Sequence, residues 1–433
     1  MEVREPSARY LQSGSVGPAP IPDTWNTRAL AELAQIQSGI AKNANGLVSD
    51  PVELPYLRVA NVQDGYVDLT DVATIRVSRE DVRRYAVRAG DVLMNEGGDL
   101  DKLGRGTLWR GQIDPCVHQN HVFVVRCREG LLPEYLSVWT GSATARRYFL
   151  LAGRQTTNLA SINKTSLGEL PVAMPGTAAE QAAIAAAVRD ADALIESMEQ
   201  LLAKKRQLKQ GAMQELLTGK KRLPGFIQGW EVARLGDLAS MRSGGTPPTS
   251  VGEYYGGRIP WVSIADMTNT GKWISLTQRT LSEKGLGACA AVTYPAGTVL
   301  YAMYASIGEC TIAAVPMTSS QAILGIQPRA TLNAEFLYYV LTERRDRVRL
   351  LGQQGTQANL NAGMVRAFEL ALPSVPEQAA IAAVLSALDI ELEALEARLA
   401  KARALKQGMA QALLTGRIRL APFGEQAPAA SPG

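Results

Sequence analysis

Near the C-terminus, apolar residues recur at Ile381, Leu385, Leu388, Leu392, Leu395, Leu399 and Ala402, in steps that alternate between four and three. That spacing is the seam of a heptad helix. The same stripe runs earlier through Ile184, Val188, Ala191, Ile195, Met198 and Leu202, until Lys205 breaks it. Each pattern lasts ~40 residues, roughly 60 Å of helix at about 1.5 Å per residue. Pro175 and Pro376 precede the two stretches, and Gly219 and Gly416 close them, as start and stop signals should. A stripe that long must lie on something, and each helix is the other's obvious partner.

Charge fixes the direction. Asp190, Asp192, Glu196 and Glu199 come early in the first helix, and Lys204, Lys205, Arg206 and Lys209 come late. The second helix repeats the order, with Asp389, Glu391, Glu393 and Glu396 before Arg398, Lys401, Arg403 and Lys406. Side by side in the same sense, like charges would meet; reversed, acid faces base along the whole length. The pattern predicts an antiparallel intramolecular coiled coil, acting as a rod with one globule at each end about a pseudo-twofold axis.

The helices belong to an internal duplication. Glu180–Leu223 and Glu377–Leu420 align without a gap at an offset of 197, with 25 identities in 44 positions. Trp25, Leu30, Leu33 and Ser38-Gly39 match Trp230, Leu235, Leu238 and Ser243-Gly244, and Pro55-Tyr56-Leu57 matches Pro260-Trp261-Val262. Asn158-Leu159 matches Asn359-Leu360. Between these anchors the halves diverge.

Each diverging globule has the size of one domain. Short Val/Ile/Tyr-rich runs such as Tyr56–Val62, Thr74–Val77, Val122–Arg126, Ile259–Ile264 and Ala322–Ile326 read as strands. Pro133–Leu151 and Asn333–Leu351 read as helices. The fold class expected is α+β. Its order is a disordered tail (1–20), a mixed α/β domain (21–176), a long helix (177–222), a second α/β domain (223–375), a second long helix (376–420) and another tail (421–433). Arg419-Leu420 echoes Arg222-Leu223 at the entry to the second globule, so the arrangement reads as pseudo-cyclic.

Composition narrows the function. The 433 residues are 46% hydrophobic and 20% charged, enough to bury cores, and the net charge of +4 with a pI near 8.8 permits a nucleic-acid partner without requiring one. Cys116, Cys127, Cys289 and Cys310 are scattered, which argues against a disulfide framework. The chain opens Met1-Glu2-Val3-Arg4-Glu5 with no apolar core behind a basic start, so a secretory signal is not expected. No stretch has the ~18 apolar residues of a membrane span. The expected compartment is the cytoplasm.

Catalytic signatures are missing. The chain has no phosphate-binding loop, Rossmann glycine fingerprint or amino-methyltransferase tetrad, and no Ser/His/Asp set recurs in both globules. His118 and His121, the only histidines, lie near Cys116 and Cys127, but the spacing fits no ordinary structural zinc site, and the second globule has no equivalent. Metal sites and catalysis are not expected.

Two diverging heads on a rod suit a bipartite target, and duplex DNA lays out two half-sites along one axis. Candidate DNA-binding residues in the first head are Arg58, Lys102, Arg105 and Arg110 around the glycine-rich stretch 97–111, with Gln119, Asn120 and His121 behind it and Arg154 and Gln155 further on. In the second head they are Arg258, Lys272, Arg279, Gln321, Gln353 and Gln354. Such side chains read base edges or hold phosphates.

Lys-Gln-Gly-x-x-Gln-x-Leu-Leu-Thr-Gly-[Lys/Arg]-x-Arg-Leu, at 209–223 and 406–420, resembles the helical region of the specificity subunit of Type I restriction–modification systems. So do the Glu-Gln starts at Glu180 and Glu377. Ser243-Gly244-Gly245-Thr246-Pro247 with Ile259-Pro260-Trp261-Val262 is similar to the opening of that family's target-recognition domains, while the first globule departs with Ser38-Gly39-Ile40-Ala41-Lys42. The resemblance implies a non-catalytic subunit that reads the two halves of a gapped double-stranded DNA target. It implies docking of two methyltransferase (modification) subunits, which take S-adenosylmethionine and methylate adenine, with restriction (endonuclease/translocase) subunits as further partners. For docking it points to Gln207, Gln210, Gln214, Leu217, Gln407, Gln411 and Leu414. The rival expectation is a coiled-coil adaptor whose heads bind proteins.

Overall fold

The computed structural model describes residues 21–41, 50–98, 103–104, 106–155, 160–353 and 360–420. Both expected tails fall outside this range. The chain is α+β and divides into two units, one of residues 1–197 with 399–433 and one of 198–398. Each unit therefore combines one globule with part of both long helices, α1 (Ala178–Leu216) and α2 (Val375–Leu414).

In the first unit, an antiparallel sheet runs in the order Ala34–Ser38, Val122–Cys127, Val92–Asn95, Gly106–Leu108. A smaller sheet sets Val52–Leu57 between Ala73–Val77 and Val117–His118, the latter in parallel. Trp25–Ala29 pairs with Pro171–Pro175, the strand that leads into α1. The second unit repeats this plan. Its main sheet runs Ala239–Ser243, Ile323–Pro328, Val299–Ala302, Cys310–Ala313, Trp273–Ile274, and its small sheet sets Tyr255–Val262 between Arg279–Leu281 and Thr318–Ser319. Each helix expected after the central strands divides in two. Ser142 caps Ala143–Ala152 by accepting from the Ala145 N–H, so Pro133–Thr140 ends before it. Ala334–Glu343 likewise stops before Arg345–Gln353.

The helices are antiparallel where they meet within each unit. In the first unit Lys406 of α2 pairs with Asp192 of α1. In the second the equivalent Lys209 pairs with Asp389, beside Lys205–Glu391 at 2.6 Å and Arg206–Glu396 at 2.7 Å. From Lys205–Glu391 and Arg206–Glu396 to Lys209–Asp389, residue numbers rise on α1 and fall on α2, as the charge order predicts. The helices end at Leu216 and Leu414, short of the expected 222 and 420, because Gly219 and Gly416 turn the chain at φ of 71° and 68°.

The repeated motif proves to be an internal clasp. Leu216 and Leu217 enter the core of the second globule, and Leu413 and Leu414 enter that of the first. Thr218 and Thr415 donate back to the carbonyls of Gln214 and Gln411. Gly219 lies on Trp230, and Gly416 on Pro22 and Trp25. Beyond the glycines, Arg222 grips Glu377 through two hydrogen bonds of 2.6 and 2.7 Å, and Arg419 grips Glu180 through two of the same lengths. The neighbouring Gln181 accepts from the Leu132 N–H and donates to the carbonyls of Gly130 and Pro175; Gln378 does the same with Asn333, Thr331 and Pro373. Leu217 and Leu414, expected on a docking face, are thus core anchors, 7% and 5% exposed.

His118 is fully buried; its Nδ1 donates to the Val122 carbonyl at 2.6 Å, while Nε2 meets no partner among the described residues. Burial pulls its pKa from 6.5 to about 4. Among the described residues no group of three His, Cys, Asp or Glu is placed to hold a metal ion, and no helix is long and apolar enough to cross a membrane.

Two outcomes follow. Glu377→Ala strands the Arg222 guanidinium against a vacated buried position and is expected to destabilise the second unit by up to about 3 kcal/mol. Glu180→Ala is expected to do less, since the Arg419 side chain is 48% exposed against 26% for Arg222. Thermal melts of the two variants make the comparison. For His118, the unfolded chain binds a proton from about pH 6.5 downward and the folded chain only near 4. Stability should therefore fall as pH drops from 6.5 toward 4, by on the order of a few kcal/mol. In His118→Asn, denaturant titrations over that range should show a flatter slope.

Candidate nucleic-acid interface

Both heads present their loops from one backbone frame. After the strand Ala34–Ser38, Gly39 passes so close to the next segment that a Cβ would lie 2.1 Å from the His118 carbonyl oxygen. In the second head the equivalent Gly244 would meet the Ser319 carbonyl at 2.0 Å. Only glycine allows these crossings, which explains the repeated Ser-Gly. The loop that follows is held alike in both heads. The Gln119 N–H donates to the Leu57 carbonyl and the Ser320 N–H to that of Val262. The Glu96 N–H donates to the His121 carbonyl and the Met303 N–H to that of Ala322. The frame places Asn120 and Gln321 at the same position.

In the first head this loop gathers several of the expected residues. His121 Nδ1 lies 2.8 Å from the Glu96 carboxylate, and Asn120 Nδ2 lies 3.2 Å from His121 Nε2. Ala160–Ser161 pairs with Gly97–Gly98 on one side and Arg154–Gln155 on the other, so the exposed Arg154 joins the same edge. Gln119, half-buried, begins the loop. Arg110, although exposed, is elsewhere: it follows the strand Gly106–Leu108 at the end that pairs with Val92, away from Glu96. Arg58 folds onto Asp71 at 2.8 Å and is engaged inside the head. Lys102, Arg105 and Gln354 lie outside the described residues, as do the side chains of Gln155 and Gln353.

In the second head Gln321 is exposed and accepts a hydrogen bond from the Thr246 hydroxyl, within the Gly-Gly-Thr-Pro run. Trp261 Nε1 pins that run by donating to the Gly245 carbonyl at 2.9 Å. Arg258 and Arg279 are exposed on neighbouring strands of the small sheet. Lys272 corrects the expectation of a base or phosphate contact. Its side chain is 11% exposed, and its Nζ meets Glu335 at 2.7 Å, Ser386 Oγ at 2.6 Å and Tyr339 OH at 3.3 Å. Burial raises the Tyr339 pKa, keeping the hydroxyl a donor to Asp389. Lys272 thus joins the globule to α2.

On the helices, Gln207, Gln210 and Gln214 of α1 and Gln407 and Gln411 of α2 are exposed. Leu208 and Leu405, at equivalent positions of the repeat, are 53% and 62% exposed. The sequence reading missed them because it followed the stripe that packs inward. They could have been found as the leucines left outside that stripe.

The family description "Type I restriction modification DNA specificity domain" matches residues 227–402. The chain is 23% identical over 417 residues to a type I restriction enzyme MjaX specificity subunit of Methanocaldococcus jannaschii, covering 92% of this chain and 95% of that one. It superposes on the S subunit of a Type I restriction–modification system from M. genitalium with a TM-score of 0.58 at 13% identity, covering 92% and 97% of the two chains. A second solved chain, from work on complex assembly and conformational transition of the type I R-M system, gives 0.59 at 18% identity and covers 93% and 100%. With residues 227–402 matching the DNA specificity domain and a relative aligned along almost the whole chain, this protein is similar to the specificity subunits of Type I restriction–modification systems.

Proposed function

We propose that each head reads one half of a bipartite, gapped double-stranded DNA target, and that the long helices dock two modification subunits. Methyl transfer to adenine, with S-adenosylmethionine as donor, belongs to those subunits, and this chain is non-catalytic; restriction subunits join as further partners. The observation that carries this reading is the shared frame: Gly39 and Gly244 make the same crossing, yet the loops beyond it present different side chains. A common scaffold with diverging polar tips suits two readers of two sequences. The first tip offers Asn120, His121 and Arg154, and the second offers Gln321, Arg258 and Arg279.

Of the docking face expected, the paired leucines lie inside the clasp, while the glutamines are exposed. The face proposed keeps Gln207, Gln210 and Gln214 around Leu208, and Gln407 and Gln411 around Leu405, where an exposed leucine is flanked by amides without net charge. Such a centre suits a protein partner better than DNA does.

Two experiments test this. Co-expression with the modification subunit, followed by single-molecule sequencing of host DNA, should give one gapped motif. Arg154→Ala should weaken methylation or relax only the half-site read by the first head, and Gln321→Ala only the other, by roughly 10- to 100-fold at the affected position. A change in both half-sites from either variant contradicts the assignment. Leu208→Glu with Leu405→Glu should leave the chain folded by circular dichroism yet abolish co-purification with the modification subunit. Retained co-purification would move the docking face elsewhere.

A further inference from the structure

Glu96 is an acid on an edge proposed to meet DNA, where an unpaired carboxylate would repel phosphate. Its geometry suggests another use. A carboxylate only accepts hydrogen bonds, so the His121 Nδ1 at 2.8 Å carries the proton. A neutral imidazole protonated there has a bare Nε2, which can only accept. The Asn120 group 3.2 Å away must then be the Nδ2 amine. One Nδ2 hydrogen is committed to His121. The Oδ1 and the second Nδ2 hydrogen have no side-chain or backbone partner among the described residues. The backbone holds the trio in place, since Glu96 N–H donates to the His121 carbonyl and Asn120 N–H to that of Ile40.

We propose that Glu96 is a specificity-positioning residue: through His121 it fixes the direction of the Asn120 carboxamide, so that the first head reads an adenine. Oδ1 accepts from the adenine N6 amine and the remaining Nδ2 hydrogen donates to N7, the two-point contact by which asparagine selects adenine in the major groove. Without the relay the amide can turn over, exchanging acceptor for donor and losing the match. The position is not symmetric between the heads. The equivalent Gln321 is held from the other end, its Oε1 accepting from Thr246.

This proposal rests on the reading of the first head as a DNA reader, and the test separates the two. The complex of this chain with its modification subunit is produced in a host lacking other adenine methylation, and the methylated motif is mapped by single-molecule sequencing. Asn120→Asp keeps the acceptor and removes the donor, so one adenine position of one half-site should become cytosine, the base whose N4 amine a carboxylate accepts. Glu96→Ala should lower the preference for adenine at that position about tenfold, and Glu96→Asp should hold more of it. If Asn120→Asp changes the motif while Glu96→Ala leaves the preference intact, the relay is overturned and the DNA reading stands. If neither Asn120→Asp nor Arg154→Ala alters any position, the first head does not read bases through this edge, and both fail.

Discussion

The structure depends on the clasp of an arginine beyond each long helix on a glutamate at the start of the other. Arg222 holds Glu377, and Arg419 holds Glu180. A charge pair of this kind is strong evidence of geometry and weak evidence of net stability, because desolvation offsets much of the Coulombic gain. Its effect is register. The paired leucines at the end of one helix can enter a globule only if that globule's outgoing helix starts at the matching height. The guanidinium fork, donating from two nitrogens to the two oxygens of one carboxylate, fixes that height. The repeated Lys209–Asp389 and Lys406–Asp192 pairs keep the same register further along.

Within this frame the heads are free to differ. The small sheets and the glycine crossings repeat, and so do the backbone hydrogen bonds that hold the tip loops. The side chains on the tips do not. A fixed frame with variable tips lets the tip side chains change without disturbing the core. Lys272 marks the limit of that freedom. It lies in a head yet is spent on Glu335, Tyr339 and Ser386, joining the head to α2.

Much of this was legible in the sequence. The heptad steps and charge order gave the helices and their mutual direction, because periodicity and electrostatics act locally along the chain. The duplication gave the two heads. The clasp was visible as a repeated motif but was taken for an outward face, since its partners lie 155 and 239 residues away and no local rule pairs them. Lys272 read as a DNA contact because the acid and hydroxyls that enclose it come from helices distant in the chain. Glu96 carried no sequence signal, because an acid does not resemble a DNA contact and it reaches Asn120 only through His121. Leu217 and Leu414 were misplaced for the same reason as the clasp.

The central claim is that two equivalent frames carry two different readers. A chain in which the first head is replaced by a second copy of the other, joined at the matching positions before α1, tests it most directly. Expressed with the modification subunit, that chain should methylate a motif built from two copies of one half-site, with the other half-site gone. A motif that still contains the original first half-site, or a stably assembled complex that methylates no repeated half-site, would contradict the account.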